Sequence, residues 1–202
     1  MAKPKDGQKN VKPSASSIAA SVSAAAKAGG LPPIHKWTPD YSGEIDIRIA
    51  RDGTWYHEGT PINRPELVRL FSTILRKEGD QHVLVTPVEK VGIVVEDAPF
   101  IAVDVEAEGT GRDQRLSFLT NVGDRTVAGP DTPIRVDRDP ETGEPAPYVT
   151  VRDRLEALID RKSFYRIVEL GTEAEHEGTR WFGVWSGGAF FPIIPAADLP
   201  RD

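Results

Sequence analysis

The side chains best suited to chemistry in this chain are arginines and aromatics. Arg48, Arg51, Arg64, Arg135, Arg138 and Arg152 offer planar guanidinium forks that match a phosphate or a carboxylate. Trp55, Tyr56, Tyr148, Trp181 and Trp185 offer stacking surfaces with polar tips. Forks for charge together with surfaces for stacking describe binding better than catalysis. Asp52, Trp55, Tyr56, His57 and Arg64 crowd into one short stretch, and Tyr148 and Arg152 into another. These seven are the candidate ligand-binding residues. A small anionic molecule, nucleotide-like in having both charge and a ring, would use both features. Any one of the arginines could equally pair with a neighbouring Asp or Glu at the surface, and that alternative stays open.

The patterns that signal catalysis or metal binding are missing or broken. His57-Glu58 has no second His at helical spacing, so there is no zinc-protease motif. Asp137, Asp139 and Glu141 alternate as in a calcium loop, but Thr142 and Tyr148 occupy the places that need Gly and a bidentate Glu. Glu96, Asp97, Asp104 and Glu106 lie on alternating strands, where carboxylates form a solvated face. Gly109-Thr110-Gly111 lacks the third Gly of a dinucleotide fingerprint. Ser186 sits in a turn without the spacing of a nucleophile elbow. The chain has no Cys, which excludes disulfides and thiolate chemistry. No catalytic residue, metal ligand or cofactor site follows, so the reading leans away from an enzyme.

The elements that would position these residues repeat. Ile47-Arg48-Ile49-Ala50-Arg51-Asp52 returns as Ile134-Arg135-Val136-Asp137-Arg138-Asp139. In the first copy Ile45, Ile47 and Ile49 alternate as in a half-buried strand, and Asp52-Gly53 marks a hairpin turn. Asn63 and Glu66 then form a capping box for a helix whose apolar face is Leu67, Leu70, Phe71, Ile74 and Leu75, ending at Gly79. In the second copy Thr150 caps a helix that carries Leu155, Leu158 and Ile159 at the same spacing and continues to Leu170. On this alignment Arg64 and Arg152 open equivalent helices and flank one anion at the helix N-termini. Between the copies, Val83–Thr86, Val91–Val95, Phe100–Glu106, Leu116–Thr120 and Arg125–Val127 read as strands, and a hairpin at Arg180–Trp185 and Ala189–Ile194 closes the chain. Pairing of Phe100–Glu106 with Leu116–Thr120 would let the two halves share a sheet.

Residues 1–33 differ in kind. They are rich in Ala, Ser, Lys, Pro and Gly, and they read as a disordered tail with a transient helix around Ser17–Lys27. Lys3, Lys5, Lys9 and Lys12 resemble a basic leader, but serines interrupt the segment that should be apolar, which argues against a secretory signal. The tail holds five Lys and one Asp, so the rest of the chain is acidic, which disfavours a general nucleic-acid surface. No run of residues is apolar enough to span a bilayer, so no membrane insertion is expected and the chain reads as cytoplasmic.

Longer segments carry a family resemblance. Asp52-Gly53-Thr54-Trp55-Tyr56-His57-Glu58-Gly59-Thr60-Pro61-Ile62 resembles the signature of a proteobacterial family known as domain of unknown function 1285. Leu119–Asp124, Pro147–Arg152 and Trp185–Pro192 are similar to it as well, and the likeness spans Trp37 to Pro195. The resemblance implies an α+β fold with a duplicated core and a second half superficially like pleckstrin-homology domains. It also implies a nucleotide-like ligand between the halves and a role in signalling, and it supplies no catalytic residue.

The expectation is therefore an α+β chain of two related hairpin–helix–sheet units, residues 34–107 and 108–202, behind a tail of residues 1–33. Its function is to hold a small anionic ligand between the units as a regulatory module. The alternative is a protein-interaction module that uses sheet edges and exposed aromatics.

Overall fold

In the computed structural model, which describes residues 14–25 and 31–199, the fold is α+β and dominated by sheet. Helix α1 (Ala15–Ala25) comes first, and then the strands β1 (Tyr41–Ile49), β2 (Trp55–His57) and β3 (Thr60–Pro61). Helix α2 (Pro65–Thr73) follows, and β4 (Leu75–Glu78), β5 (Gln81–Val85) and β6 (Lys90–Val95) complete a six-stranded sheet in the order β3-β2-β1-β6-β5-β4.

The second sheet is built on the same plan. It comprises β7 (Phe100–Glu108), β8 (Arg115–Thr120), β9 (Arg125–Val127), β10 (Ile134–Arg138), β11 (Pro145–Arg152) and β12 (Leu155–Ile159), in the order β10-β11-β12-β7-β8-β9. Each sheet is two antiparallel three-stranded meanders joined by one parallel pair, β1 with β6 and β7 with β12. The core is thus duplicated, with β1 corresponding to β7 and β6 to β12. This register differs from the one the sequence echo implies, which matches β1 to β10. The sheets divide between Val95 and Phe100, so Phe100–Glu108 opens the second unit rather than closing the first.

Helix α3 (Arg161–Glu169) and a three-stranded sheet of β13 (Thr172–His176), β14 (Thr179–Ser186) and β15 (Ala189–Pro195) complete the second unit. The hairpin is fastened to β8 by Ser186, whose hydroxyl accepts from the Leu116 N–H at 2.9 Å and donates to the Ala128 carbonyl at 2.7 Å. Buried side chains from both six-stranded sheets join one apolar core.

Three segments depart from the sequence reading. The expected second helix does not start at Thr150. Asp153 and Arg154 both adopt positive φ, 44° and 65°, and close a two-residue turn between β11 and β12. Leu155-Glu156-Ala157-Leu158-Ile159 fits a helical stripe and an alternating strand equally well. The turn selects the strand, burying Leu155, Ala157 and Ile159. The helix begins ten residues later than expected, where the Asp160 carboxylate accepts the Ser163 N–H at 2.7 Å.

Helix α2 is shorter than expected. Its N-cap is Arg64 rather than Asn63, with no side-chain cap bond, and Leu75–Glu78 continues as a strand that pairs with β5.

The third departure is in the tail. Residues 15–25 form a helix docked on α2 by Ile18 and Val22, one turn apart and fully buried. Residues 1–13 and 26–30 lie outside the described residues. No helix among the described residues is long and apolar enough to cross a membrane.

Candidate functional site

A groove of about 770 Å³ lies where the first unit's β1–β2 turn meets the second unit. Arg51 supplies one side. The other walls are Asp137 and Arg138 at the end of β10, the Asp139–Pro147 hairpin, Leu158 and Ile159 on β12, and Arg161, Phe164 and Tyr165 on α3. The two echoed segments therefore do meet at one place, through Arg51 and Arg138.

The chemistry of the groove is guanidinium and aromatic. Arg138 donates to the carbonyls of Gly143 at 3.1 Å and Ile193 at 3.2 Å, and forms no ion pair among the described residues. Arg51 lies 3.2 Å from Asp97; the Arg51 side chain is 67% exposed and the Asp97 carboxylate only 18%. Arg161 bonds Glu144 at 3.0 Å. Three carboxylates also line the groove, and each is engaged. Asp137 pairs with Arg135, and Glu144 pairs with Arg161. Asp139 closes its own turn by accepting from Glu141 and Thr142 N–H groups at 2.9 and 2.7 Å. The Thr142 backbone bond, foremost, holds the Asp139 carboxyl below its usual range. Phe164 is nearly buried, and Tyr165 is 58% exposed.

The seven residues nominated from sequence fall into different places, and none lines this groove. Asp52 accepts the Thr54 N–H at 2.9 Å and shapes the hairpin turn; that bond lowers its carboxyl as the equivalent bond lowers Asp139. Trp55 is buried and stacks on Phe71, with centroids 6.4 Å apart. Tyr56 lies under the Arg48 guanidinium at 4.2 Å. His57 and Arg64 line a separate pocket of about 540 Å³ beneath α1.

Tyr148 is buried and donates to Asp97 at 2.8 Å, with the Arg135 guanidinium 4.1 Å above its ring. Burial, and then the Asp97 bond, push its phenol up to about 12. Arg152 pairs with Asp124, donates to the Ser72 carbonyl at 2.7 Å and lies 5.0 Å over Phe100. Arg64 and Arg152 do not flank one anion. Arg64 caps α2 at its N-terminus, and Arg152 meets the carbonyls at the other end of the same helix.

The echo has a local meaning. Arg48 stacks on Tyr56 and pairs with Glu96; Arg135 stacks on Tyr148 and pairs with Glu156. Each Tyr is the direct cross-strand partner of its Arg. The repeated residues thus encode the same Arg–Tyr–Glu ladder twice, followed by the same Asp-closed turn. Arg161, Phe164 and Tyr165 were missed because they fell inside one long expected helix. The signal for them was Asp160 three residues ahead of Ser163, a cap that starts α3 and aims its first turns at the groove.

Elsewhere the histidine of β5 is strongly perturbed. His82 on β5 is pushed down to about 4, by burial first and by its cross-strand neighbour Lys77 second. The folded protein keeps this imidazole neutral, whereas the unfolded chain protonates it below 6.5. That contribution to stability is present above 6.5 and is lost as the pH falls towards 4. The expected result is that His82→Gln loses less urea resistance than the parent between about pH 7 and 5. Equal losses would show that His82 does not carry the slope.

Residues 32–98 match the N-terminal domain, and residues 99–193 the C-terminal domain, of the family described as protein of unknown function DUF1285. The chain is similar to a DUF1285 family protein of known crystal structure from Silicibacter pomeroyi DSS-3. The two share 60% identity and a TM-score of 0.81, over 91% of this chain and 98% of that one. A DUF1285 family protein from Shewanella baltica OS155 is 27% identical over 61% of this chain and 90% of that one, with a TM-score of 0.48. No curated protein matches.

Proposed function

The chain belongs to the DUF1285 family, and from that premise we propose a non-enzymatic regulatory module that holds a small anionic, nucleotide-like ligand in the groove between its units. The reading includes a cytoplasmic setting and a role in bacterial signalling. One observation carries it. Arg138 presents a guanidinium fork fixed by two carbonyls and paired with no carboxylate among the described residues, in a groove it shares with Arg51 and Tyr165. A phosphate group needs such a fork, and a base or other ring needs such an aromatic wall. The volume of about 770 Å³ falls in the range of small-molecule sites. The Arg51 side of its pair with Asp97 faces solvent, and Asp97 keeps the Tyr148 hydroxyl as a partner when Arg51 turns to a ligand.

The test is a thermal-shift and calorimetric screen against nucleotides and nucleotide-like anions. At least one is expected to stabilise the parent, and Arg51→Ala/Arg138→Ala is expected to weaken it by roughly tenfold or more. Tyr165→Ala is expected to weaken ligands with a ring more than inorganic phosphate. If no member of the panel binds, or if the double variant binds as well as the parent, the reading fails and a protein-interaction role becomes the better one.

A further inference from the structure

A third, smaller cavity of about 270 Å³ lies on the boundary between the units, on the far side of Asp52 in the chain from Arg51. The first unit contributes Gly53, Trp55, Asn63 and Arg69, and the second contributes Asn121 and Val122. Its charge is one-sided: Arg69 is the only charged side chain that lines it, beside the neutral Thr54, Asn63 and Asn121. Trp55 is 2% exposed, and its indole nitrogen is buried with no acceptor among the described residues. An indole N–H can only donate. Asn121 spends its side-chain oxygen on the Ile101 N–H at 3.0 Å, which leaves its amide NH₂ to donate. Arg69 spends Nε on the Val122 carbonyl at 3.0 Å and makes no ion pair among the described residues, which leaves its terminal amino groups. No carboxylate lines the cavity.

A buried donor without an acceptor is costly to keep. Here the residues carrying that buried donor and two exposed ones, from both units, line one cavity, and the chemistry missing from it is a group carrying negative charge. We propose that this cavity binds a compact oxyanion, a carboxylate or phosphate group, that bridges Trp55 and Arg69 of the first unit to Asn121 of the second. Its volume of about 270 Å³ suits a group of a few heavy atoms. The site is independent of the large groove, with which it shares no lining residue. Because the bound group touches both units, occupancy tightens their contact.

The experiment titrates the full chain with sodium phosphate and, separately, sodium acetate, against sodium chloride at matched ionic strength. It follows tryptophan fluorescence and the unfolding temperature. A saturable rise with acetate or with phosphate, absent with chloride, is expected, and the more effective anion identifies the class. Trp55→Phe keeps an aromatic ring and removes the donor; Arg69→Gln removes the charge. Each is expected to weaken binding at least roughly tenfold. Asn121→Asp keeps the oxygen that Ile101 needs and puts a like charge in the cavity. It is expected to abolish binding and serves as the decisive variant if Trp55→Phe does not fold. Equal responses to all three salts, no saturable response, or undiminished binding in the Asn121→Asp protein would each overturn the proposal.

Discussion

Arg152→Ala is expected to cost about 3 kcal/mol of folding stability, read as a lowered urea midpoint with an unchanged slope. The side chain is held on three sides. It pairs with Asp124, donates to the Ser72 carbonyl at 2.7 Å, and lies 5.0 Å over the Phe100 ring. Both members of the ion pair are mostly buried, with side chains 15% and 23% exposed. Truncation therefore strands a carboxylate and a helix carbonyl away from water, and the penalty for unpaired partners exceeds the net worth of the pair itself. The carbonyl belongs to the last turn of α2, where free C=O groups and the negative end of the helix dipole favour a cation. Arg152 thus caps a helix of the first unit from a strand of the second. A lysine cannot reach Asp124 and Ser72 together with one ammonium, so Arg152→Lys should recover less than half of the loss. Asp124→Asn combined with Arg152→Ala should cost less than the sum of the two single changes, because both act on one contact. Arg152→Ala protein with the parental midpoint would show that the residue does not pin the units.

That role depends on contacts far apart in the chain, so nothing in the residues around Arg152 signals it, although nearby elements are legible. Isolated alternations were legible. The isoleucines of β1, the strands from β5 to β10 and the closing hairpin appear close to where period and turn residues place them. Leu155–Ile159 was not legible, because its apolar positions satisfy two periods at once and an Asp-Arg turn at positive φ carries a weaker signal than Asp-Gly. A helical reading of that segment puts Arg152 at a helix N-terminus and makes it equivalent to Arg64. The duplication was inferred from the wrong pair of strands, since connectivity repeats β1 as β7 whereas similarity repeats β1 as β10. Residue similarity tracked a shared local task, an Arg over a Tyr followed by an Asp-closed turn, rather than position in the unit. The arginines proved informative as a class. Arg51 and Arg138 reach the groove, and only the three-dimensional contacts separate them from Arg48, Arg135 and Arg152, which are spent on structure.

Gly53→Ala should cost about 3 kcal/mol, and Gly59→Ala only about 1. The sequence identifies both as turn glycines, and both have positive φ, 84° and 73°. Conformational strain alone therefore predicts similar losses. The difference lies in what surrounds them. A Cβ at Gly59 meets nothing within 4 Å, whereas a Cβ at Gly53 falls 2.7 Å from Asn121 Nδ2 and 2.7 Å from Ile101 Cγ1. Neither neighbour can yield cheaply. Asn121 is tied at both ends to Ile101, its side-chain oxygen accepting from the Ile101 N–H at 3.0 Å and its backbone N–H donating to the Ile101 carbonyl at 2.8 Å. The added methyl group must push the hairpin of the first unit away from the second. Urea unfolding of the two variants under one condition isolates that term, since the shared strain cancels in the difference. Equal losses would mean that the turn does not bear on the second unit. A larger loss at Gly53 would make it a residue chosen twice, once for a backbone angle and once because the turn presses against the neighbouring unit, which is also where Asn121 and Trp55 wall the smaller cavity.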